Sequence, residues 1–430
     1  MKELPTERAL QSAERASLHR QTTTPAPDMI SVAQAIQIVK DQTQPLSTEK
    51  VALAKARGRF LAEEVIADSD LPPFDRSQMD GYAVRAADTQ NAPVRLRIVG
   101  ESAAGRGWHQ EMKGGEAVRI MTGAPLPQGA DSVQQVELTE DIEPDLVEIQ
   151  QPVSLRRSIV TRGAEVKRGA VVLQAGEQIN AAMLATLASF GYAEVNVGKQ
   201  PRVSVLATGS ELVSVERQPA PDQIRDSNNY SIGAYAELSG AIVERLPLAG
   251  DDIELLKRQI TEAAERSEVV ITSGGVSMGV YDFTKAALKE LGCEVFFERV
   301  SLRPGKPIVF ARLPNGTLVF GLPGNPVSVS VTFNLFARTA LLKMQGANNP
   351  ALSEERAVLT RNVKGSSDRE SYLPASLRTD EKGQLLAEAL KWGGSSDFVA
   401  FTLATALMIV PQGDGELKAG TIVSVVRLPS

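Results

Sequence analysis

The sequence predicts a multidomain α/β and β protein whose central α/β domain contains a parallel-type sheet with helices on both faces. Three patterns within the 430 residues support this fold class. Strand-like and helix-like segments alternate from residue 201 to about residue 345, which is typical of a parallel sheet. Short apolar runs between Gly and Pro fill residues 70–155 and 350–430, which indicates a small β domain and a C-terminal β-barrel. Apolar residues at helical spacing in residues 29–67 predict a helical linker domain.

The same patterns set the predicted domain boundaries. Residues 1–28 lack an apolar core and end close to "QTTTPAP", so we expect a disordered tail rather than a secretory signal. The segment at 29–69 is expected to rejoin residues 156–200 as a discontinuous linker domain, since the second range contains the helix-like "NAAMLATLASFG". The remaining predicted domains are the small β domain at 70–155, the α/β domain at 201–345 and the β-barrel at 350–430.

Composition excludes several classes of function. Lys and Arg number 46 against 52 Asp and Glu, and this net charge of −6 disfavours binding to nucleic acid or to an anionic membrane. No segment approaches the ~20 apolar residues of a membrane helix. The single cysteine, Cys293, can form neither an internal disulfide nor a thiolate metal cluster, and it fits a cytoplasmic location. The two histidines lie in no motif, which argues against histidine-based acid–base or zinc chemistry.

Candidate ligand-binding residues lie in loops that follow three predicted strands. In open α/β sheets, ligands bind outside the carboxyl ends of the strands. The loops are "LATGSEL" at 206–212, "TSGGVSMGVYD" at 272–282 and "GLPGNPVS" at 321–328. Glycines let the backbone approach a ligand closely, whereas prolines stiffen a loop. The alternative, tight turns without a ligand, stays open for each loop alone. The candidates are Ser273, Gly274, Gly275, Ser277, Gly279, Pro323, Gly324 and Asn325.

Charged residues near these loops suggest an anionic ligand and a metal ion. Arg303 and Lys306 flank Pro–Gly in "SLRPGKPIVF", directly before an apolar strand. Unpaired cations are costly to bury, so an anionic ligand explains them better than exposed strand-end charges, although both remain open. Asp226 and Asp282 each precede a predicted helix. Two carboxylates near a phosphate loop are typical of a bound divalent cation, and the alternative is a pair of helix N-caps.

Five segments, taken in this order, closely resemble the molybdopterin molybdenumtransferases, which are the MoeA and gephyrin E-domain family. They are "LPPFDRSQMDGYAVRAAD", "RIMTGAPLPQGADSVQQVE", "SGGVSMGVYDFTK", "LRPGKPIVF" and "GLPGNPVSVSVTF". The likeness runs from about residue 29 to the C-terminus. The α/β region also resembles the molybdopterin-binding fold of the MoaB and MogA type. The resemblance implies a transferase that inserts molybdate into adenylylated molybdopterin, releases AMP and uses Mg²⁺.

The resemblance also implies a role for each matching position. Asp80 and Thr122 reach into the pocket of the partner in an elongated homodimer, where the small β domain of one subunit covers the α/β pocket of the other. Asp226 and Asp282 hold Mg²⁺ and the phosphates, and the "SGGVSMG" loop cradles a phosphate or AMP. The residues implied to neutralise the phosphate and oxyanion or to line the molybdate side are Arg303, Lys306, Ser328 and Ser395.

Two positions depart from the family pattern. The linker motif of the family reads Arg-Gly-Glu-Asp, whereas this chain has Ala164 followed by Glu165. A basic residue often stands where "DRESYLPAS" has Pro374. Both changes affect the expected molybdate side, where Arg369 and Glu165 are candidates to compensate.

Two alternatives to molybdenum insertion stay open. One is a related enzyme that inserts tungstate into the same pterin nucleotide. The other is a non-catalytic dimeric scaffold, which the retained charges of Asp80, Asp226, Asp282, Arg303 and Lys306 argue against. Expected partners are a second copy of the chain, a molybdopterin adenylyltransferase, and molybdoenzymes or their chaperones. Nucleic acid and membrane are not expected.

Overall fold

The computed structural model describes residues 29–276, 283–413 and 415–429. The predicted tail at 1–28 and the candidates Ser277, Gly279 and Asp282 lie outside the described residues. The chain divides into two compact units. The inserted unit comprises Lys50–Val197, and the terminal unit comprises the described residues up to Glu49 together with those from Gly198 onward. Within the described residues, no helix is both long enough and apolar enough to span a membrane.

Helix α1, Val32–Gln42, is the first regular element. Ser31 caps it, since the Ser31 hydroxyl accepts from the Gln34 N–H at 3.1 Å while the Gln34 side chain accepts from the Ser31 N–H at 2.9 Å. Its buried face packs against the helical core of the terminal unit. The sequence predicted helix as far as residue 67, and this is wrong beyond Gln42. Short strands and a 3₁₀ turn follow instead, because pairing with distant strands overrides the preference of the Ala, Leu, Lys and Glu residues in this segment for helix.

The inserted unit is built mainly of short strands. Its largest sheet has six strands in the order β7-β4-β6-β5-β9-β8, which fits the predicted small β domain. Three two-stranded pairs, β1 with β12, β2 with β11 and β3 with β10, complete it. Its elements are β1 Thr48–Ala52, the 3₁₀ turn Leu53–Lys55, β2 Val65–Ile66, β3 Arg76–Ser77, β4 Gly81–Val84, the 3₁₀ turn Ala86–Thr89, β5 Val94–Ser102, β6 Glu116–Ile120, β7 Ser132–Gln135, the 3₁₀ turn Val136–Leu138, β8 Thr139–Glu143, β9 Leu146–Ile149, β10 Ile159–Val160, β11 Val171–Leu173, α2 Ala181–Ser189 and β12 Glu194–Gly198.

The terminal unit contains the predicted α/β domain. Its six-stranded sheet has the order β16-β13-β17-β21-β20-β18. The first four strands are parallel, and β20 runs antiparallel to both of its neighbours. The elements are β13 Arg202–Ala207, β14 Leu212–Val213, β15 Ile224–Arg225, α3 Asn228–Leu238, β16 Ile242–Arg245, α4 Ile253–Ala264, β17 Val269–Ser273, α5 Phe283–Glu290, β18 Glu294–Arg299, β19 Leu302–Arg303, β20 Pro307–Arg312, β21 Leu318–Leu322, α6 Pro326–Thr332, the π-helical turn Phe333–Ala337 and α7 Arg338–Met344.

Both faces of this sheet are covered by helices. One face packs on α1, α3 and the helices after β21, and the other packs on α4 and α5. Alternate residues of a strand therefore enter different cores, as Ile271 and Val270 of β17 do. Phe310 and Phe320 stack at the centre of the first core with ring centroids 4.7 Å apart. The predicted parallel-type sheet with helices on both faces is confirmed.

The C-terminal part of the terminal unit forms a closed barrel. The strand order is β24-β25-β22-β28-β26, and β26 pairs back onto β24 to close five strands. This confirms the predicted C-terminal β-barrel. Its elements are β22 Glu354–Leu359, β23 Val363–Lys364, β24 Glu370–Thr379, β25 Leu385–Ala389, α8 Phe398–Phe401, β26 Ala406–Val410, β27 Glu416–Leu417 and β28 Ile422–Arg427.

The centre of the sheet should carry much of the stability of the terminal unit. We expect Phe320→Ala to lower its free energy of unfolding by about 3–5 kcal/mol, since a fully buried ring is replaced by a cavity. Chemical denaturation followed in this unit measures the change. The matched control is Val399→Ala at a side chain that is 67% exposed, where we expect a change within about 0.5 kcal/mol. Equal effects of the two variants would contradict this description of the core.

Candidate functional site

The candidate site lies at the carboxyl ends of β13, β17 and β21. After β13 the chain crosses to β16 on one side, and after β16 it returns to β17 on the other side of β13. Such a change of direction opens a crevice at the strand ends, where α/β proteins bind ligands. The parallel register aligns Ala207, Ser273 and Leu322 at this edge. The three loops that the sequence singled out therefore start side by side.

The side chain of Asn228 joins two of these loops. Its Nδ2 donates to Ser273 Oγ at 2.8 Å and to the Gly324 carbonyl at 2.7 Å. Ser273 Oγ in turn donates to the Pro323 carbonyl at 3.2 Å. A carbonyl can only accept, so these contacts fix which end of the Asn228 amide faces the loops. The start of α3 thus braces the ends of β17 and β21 against each other.

Gly274 and Gly275 adopt backbone conformations that other residues resist. Their φ angles are 96° and 63°, in the region that favours glycine. A Cβ on Gly274 would lie 2.5 Å from the Thr208 carbonyl oxygen, and one on Gly275 would lie 2.7 Å from Thr284 Oγ1. The Thr284 hydroxyl donates to the Gly274 carbonyl at 3.0 Å. The glycine pair is therefore required by close packing within the loop itself, whether or not a ligand is bound.

Arg303 and Lys306 lie at the same sheet edge. Strand β20 runs antiparallel to β21 with Val309 facing Gly321, so the start of β20, which Lys306 directly precedes, lies at the end of β21. Among the described residues, neither the Arg303 nor the Lys306 side chain makes a hydrogen bond or an ion pair. Two cations without a counter-charge beside the glycine loops suit an anionic ligand.

Residues of the barrel segment complete this edge. Asn325 Nδ2 donates to Ser395 Oγ at 2.9 Å, and the Val327 N–H donates to the Ser395 carbonyl at 3.0 Å. Ser328 is buried in the first turn of α6. Strand β19 pairs with β24, and Arg369, directly before β24, donates to the Leu302 carbonyl at 3.5 Å. Unlike Arg303, Arg369 already has a carboxylate partner, Asp368, at 3.0 Å.

Asp226 is a buried carboxylate at the approach to α3. It is 5% exposed, and one of its oxygens accepts from the Asn229 N–H at 3.1 Å. Burial raises the pKa of Asp226, and the hydrogen bonds from Asn229 only partly offset this rise. No cationic side chain among the described residues pairs with it. Its predicted companion Asp282 lies outside the described residues, and no group of three or more potential metal-binding side chains occurs in the part described.

Asp80 and Thr122 form a separate pair within the inserted unit. Asp80 precedes β4, Thr122 follows β6, and the antiparallel register of these strands places both residues at one end. Asp80 Oδ1 accepts from the Thr122 N–H at 2.6 Å and from its hydroxyl at 2.8 Å. Both bonds hold the pKa of Asp80 below its usual range, and the backbone hydrogen bond contributes the larger part. Gly81 is needed next to them, because a Cβ there would lie 2.0 Å from the Gln134 carbonyl oxygen.

The two departures from the family pattern have local structural consequences. Glu165 forms an ion pair with Arg76 at 3.3 Å, so its carboxylate has a partner within the inserted unit. Pro374 is buried in β24, opposite Leu407 of β26. A buried proline supplies neither a cation nor a backbone N–H at that position. The roles suggested for Glu165 and Arg369 in molybdate handling remain predictions.

Sequence reasoning missed three polar residues of the strand-end site. They are Thr208, which donates its N–H to the Ser273 carbonyl at 2.9 Å, together with Asn228 and Thr284. Thr208 and Thr284 lie inside segments that the sequence singled out, but neither residue is charged or a glycine. A polar residue at a strand end or helix start was the available signal.

Burial raises the pKa of the Cys293 thiol to about 11, which disfavours a thiolate nucleophile.

The fold and the strand-end site define a multidomain protein built on a molybdopterin-binding type of α/β domain. Three family models match consecutive parts of the chain: "MoeA N-terminal region (domain I and II)" at residues 30–191, "Probable molybdopterin binding domain" at 204–343 and "MoeA C-terminal region (domain IV)" at 356–428. The chain belongs to the MoeA family. The predicted family is therefore confirmed.

Individual relatives match over nearly the whole chain. The molybdopterin molybdenumtransferase of Haemophilus influenzae is 37% identical over 388 residues, which are 89% of this chain and 94% of the relative. That of Bacillus subtilis is 35% identical over 406 residues, which are 93% of this chain and 94% of the relative. A crystal structure of the molybdopterin biosynthesis moeA protein from Pyrococcus horikoshii OT3 has a TM-score of 0.80 at 28% identity, covering 93% of this chain and 100% of that one.

The Asp80–Thr122 pair gives a direct test of its hydrogen bonds. Thr122→Val removes the hydroxyl donor and keeps the backbone donor, so we expect the pKa of Asp80 to rise partway towards its usual value. Carbon-13 NMR titration of labelled aspartate carboxyls measures it. The control is Thr139→Val, whose hydroxyl donates to the Val136 carbonyl rather than to a carboxylate. An Asp80 pKa identical in Thr122→Val and wild type would refute the hydroxyl contribution.

Proposed function

We propose that this chain is a molybdopterin molybdenumtransferase, which inserts molybdate into adenylylated molybdopterin and releases AMP. One observation carries the proposal. In a chain of the MoeA family, the braced loops at the ends of β17 and β21 lie beside two cations, Arg303 and Lys306, that have no side-chain partner in the described structure. The curated relatives that cover most of the chain bear this enzyme name.

The reaction requires that a phosphoanhydride bond is broken. A water oxygen adds to phosphorus, the bridging P–O bond breaks, and AMP leaves with the electron pair of that bond. Such a step needs charge neutralisation and positioning more than a strong protein nucleophile. Arg303 and Lys306 supply the positive charge, while Ser273, Gly274 and Gly275 form the tight, braced turn at the end of β17 beside which the phosphate is proposed to bind.

Mg²⁺ fits the residues near α3. Asp226 is a hard oxygen donor, and its buried carboxylate has no cationic partner among the described residues, so a metal ion would relieve the cost of burying its charge. Asp282 is the proposed second donor. Because the described part has no cluster of three such side chains, phosphate oxygens and water would provide the remaining ligands. When bound, Mg²⁺ supplies charge neutralisation for the phosphates.

The molybdate side is proposed to comprise Ser328, Ser395 and Arg369. Ser395 is held at the beginning of α6 by one hydrogen bond from the Asn325 side chain and one from the Val327 N–H, so its hydroxyl lies at the same sheet edge as the phosphate-binding loops. Hydroxyls, N–H groups and cations are natural ligands of an oxyanion. Tungstate has the same charge and shape, and paired affinities for the two anions decide between them.

The proposal includes a homodimer in which the Asp80–Thr122 pair of one subunit completes the strand-end site of the other. The resemblance to the family and the exposed position of Asp80 support it. An adenylyltransferase would supply the nucleotide substrate, and molybdoenzymes or their chaperones would receive the product. These partners follow from the chemistry of substrate and product.

The central test is release of AMP. Purified protein given adenylylated molybdopterin, Mg²⁺ and molybdate should release AMP and yield active cofactor. Asp226→Asn keeps the shape of the side chain but removes its charge, so we expect AMP release to fall by at least about tenfold. The control is Asp222→Asn at an exposed position of the same unit. If wild-type protein retains the nucleotide intact, the chain is a binding scaffold rather than an insertase.

The buried position of Asp226 predicts how Mg²⁺ binding depends on pH. Burial raises the pKa of its carboxyl, so this group takes up a proton at a higher pH than an ordinary aspartate near 3.9. Protonation removes the charge that holds the metal, and Mg²⁺ affinity should therefore weaken on acidification before ordinary carboxylates titrate. Calorimetric titration with Mg²⁺ and AMP at several pH values measures this. In Asp226→Asn the contribution of this carboxyl should be lost, which leaves only the titration of the AMP phosphate and of Asp282. A pH profile identical to that of the wild type would assign the effect to another group.

A further inference from the structure

Residues 154–158 of the inserted unit have an unusual backbone. In the described chain, two residues other than glycine have positive φ, Arg156 at 63° and Ser158 at 58°, and both lie in this segment. L-residues resist this conformation because their Cβ approaches the backbone, and arginine gains no local hydrogen bond from it. Strained residues of this kind are frequent at binding sites, where the surrounding structure enforces them.

Hydrogen bonds hold the segment in place on both sides. The Arg156 N–H donates to the Asp131 carbonyl at 2.9 Å, and the Arg157 carbonyl accepts from the Val133 N–H at 3.0 Å. The Ser158 carbonyl accepts from the Gln78 N–H at 2.9 Å. Gln78 lies two residues before Asp80, so the segment is tied to the loop that carries the Asp80–Thr122 pair. Arg156 and Arg157 are therefore presented from a fixed backbone, which is linked through Gln78 to the loop of that pair.

The charges of Arg156 and Arg157 are not compensated. Both residues are exposed, and their side chains make no hydrogen bond or ion pair in the described structure. Other arginines nearby do have carboxylate partners, since Arg162 pairs with Asp70 at 2.6 Å and Arg76 pairs with Glu165 at 3.3 Å. Adjacent free cations are notable in a chain whose net charge is −6. The Asp80 carboxylate is already engaged by Thr122 and does not pair with them.

We propose that Arg156 and Arg157 bind a tetrahedral oxyanion on the inserted unit, at the segment linked through Gln78 to the loop of Asp80. Guanidinium groups donate two parallel hydrogen bonds to such an anion, and a fixed backbone lowers the entropy lost on binding. The identity of the anion rests on the proposed function, which offers two sources, the phosphate of the adenylylated substrate and free molybdate. The strain at Arg156 is thus retained because it presents the cation to this anion.

Anion titrations of charge variants test the proposal. The variant Arg156→Gly with Arg157→Gln removes both cations, and the matched control is Arg57→Gln at an exposed position of the same unit. Calorimetry with molybdate alone and with AMP alone measures the affinities of full-length protein. We expect the double variant to bind one of them at least about tenfold more weakly, since charged hydrogen bonds are lost, while the control binds as wild type. A loss for molybdate assigns the molybdate source, and a loss for AMP assigns the phosphate.

Stability separates loss of a binding group from damage to the fold. Glycine accepts a positive φ, so Arg156→Gly should melt at the wild-type temperature or above it. Unchanged affinity of the double variant for both anions, or an equal loss in Arg57→Gln, would overturn the proposal, as would a lower melting temperature of Arg156→Gly. If the wild-type protein releases AMP but the double variant binds both anions as tightly as the wild type, this inference is wrong and the proposed function stands. If the double variant binds an anion more weakly but the wild-type protein releases no AMP, the proposed function is wrong and this inference stands.

Discussion

The parallel alignment of β13, β17 and β21 is the constraint on which the rest of the site depends. Parallel strands end at a common edge, so residues far apart in sequence, such as Thr208, Ser273 and Gly324, become neighbours without any direct sequence signal. The Asn228 amide then fixes the distance between two of the three loops. A ligand at this edge meets loops that are already positioned, and less binding free energy is lost in ordering them.

The described part of the site contains two unpaired cations and, separately, one buried carboxylate. Arg303 and Lys306 offer positive charge without a counter-ion in the described structure, whereas Asp226 is a carboxylate from which water is largely excluded. Burying one charge alone is unfavourable, and no cation in the described structure is paired with this carboxylate. A phosphate and a metal ion together match this separation, since each ligand meets the charge that the protein leaves unpaired.

Much of this arrangement could be predicted from the sequence, and the exceptions have physical causes. The α/β region, the small β domain and the barrel followed from changes in periodicity and from turn residues. Helix was wrongly predicted beyond Gln42, because residues 51–64 are rich in the helix formers Ala, Leu, Lys, Arg and Glu, and tertiary strand pairing overrides that preference. Asn228 was missed because its importance lies in two tertiary hydrogen bonds. The positive φ of Arg156 was not foreseeable from residue type, since arginine rarely adopts it.

The segment between β19 and β20 links two sheets over a very short length of chain. Strand β19 pairs with β24 of the barrel, and β20, which begins four residues after Arg303, pairs with β21 of the α/β sheet. Four residues span at most about 14 Å, and Pro304 limits their freedom further. The segment that carries Arg303 and Lys306 thus joins the barrel directly to the α/β sheet. The pairing of β19 with the barrel and of β20 with the sheet therefore fixes the backbone spacing of the two charges, so the barrel helps to set the geometry of the strand-end site.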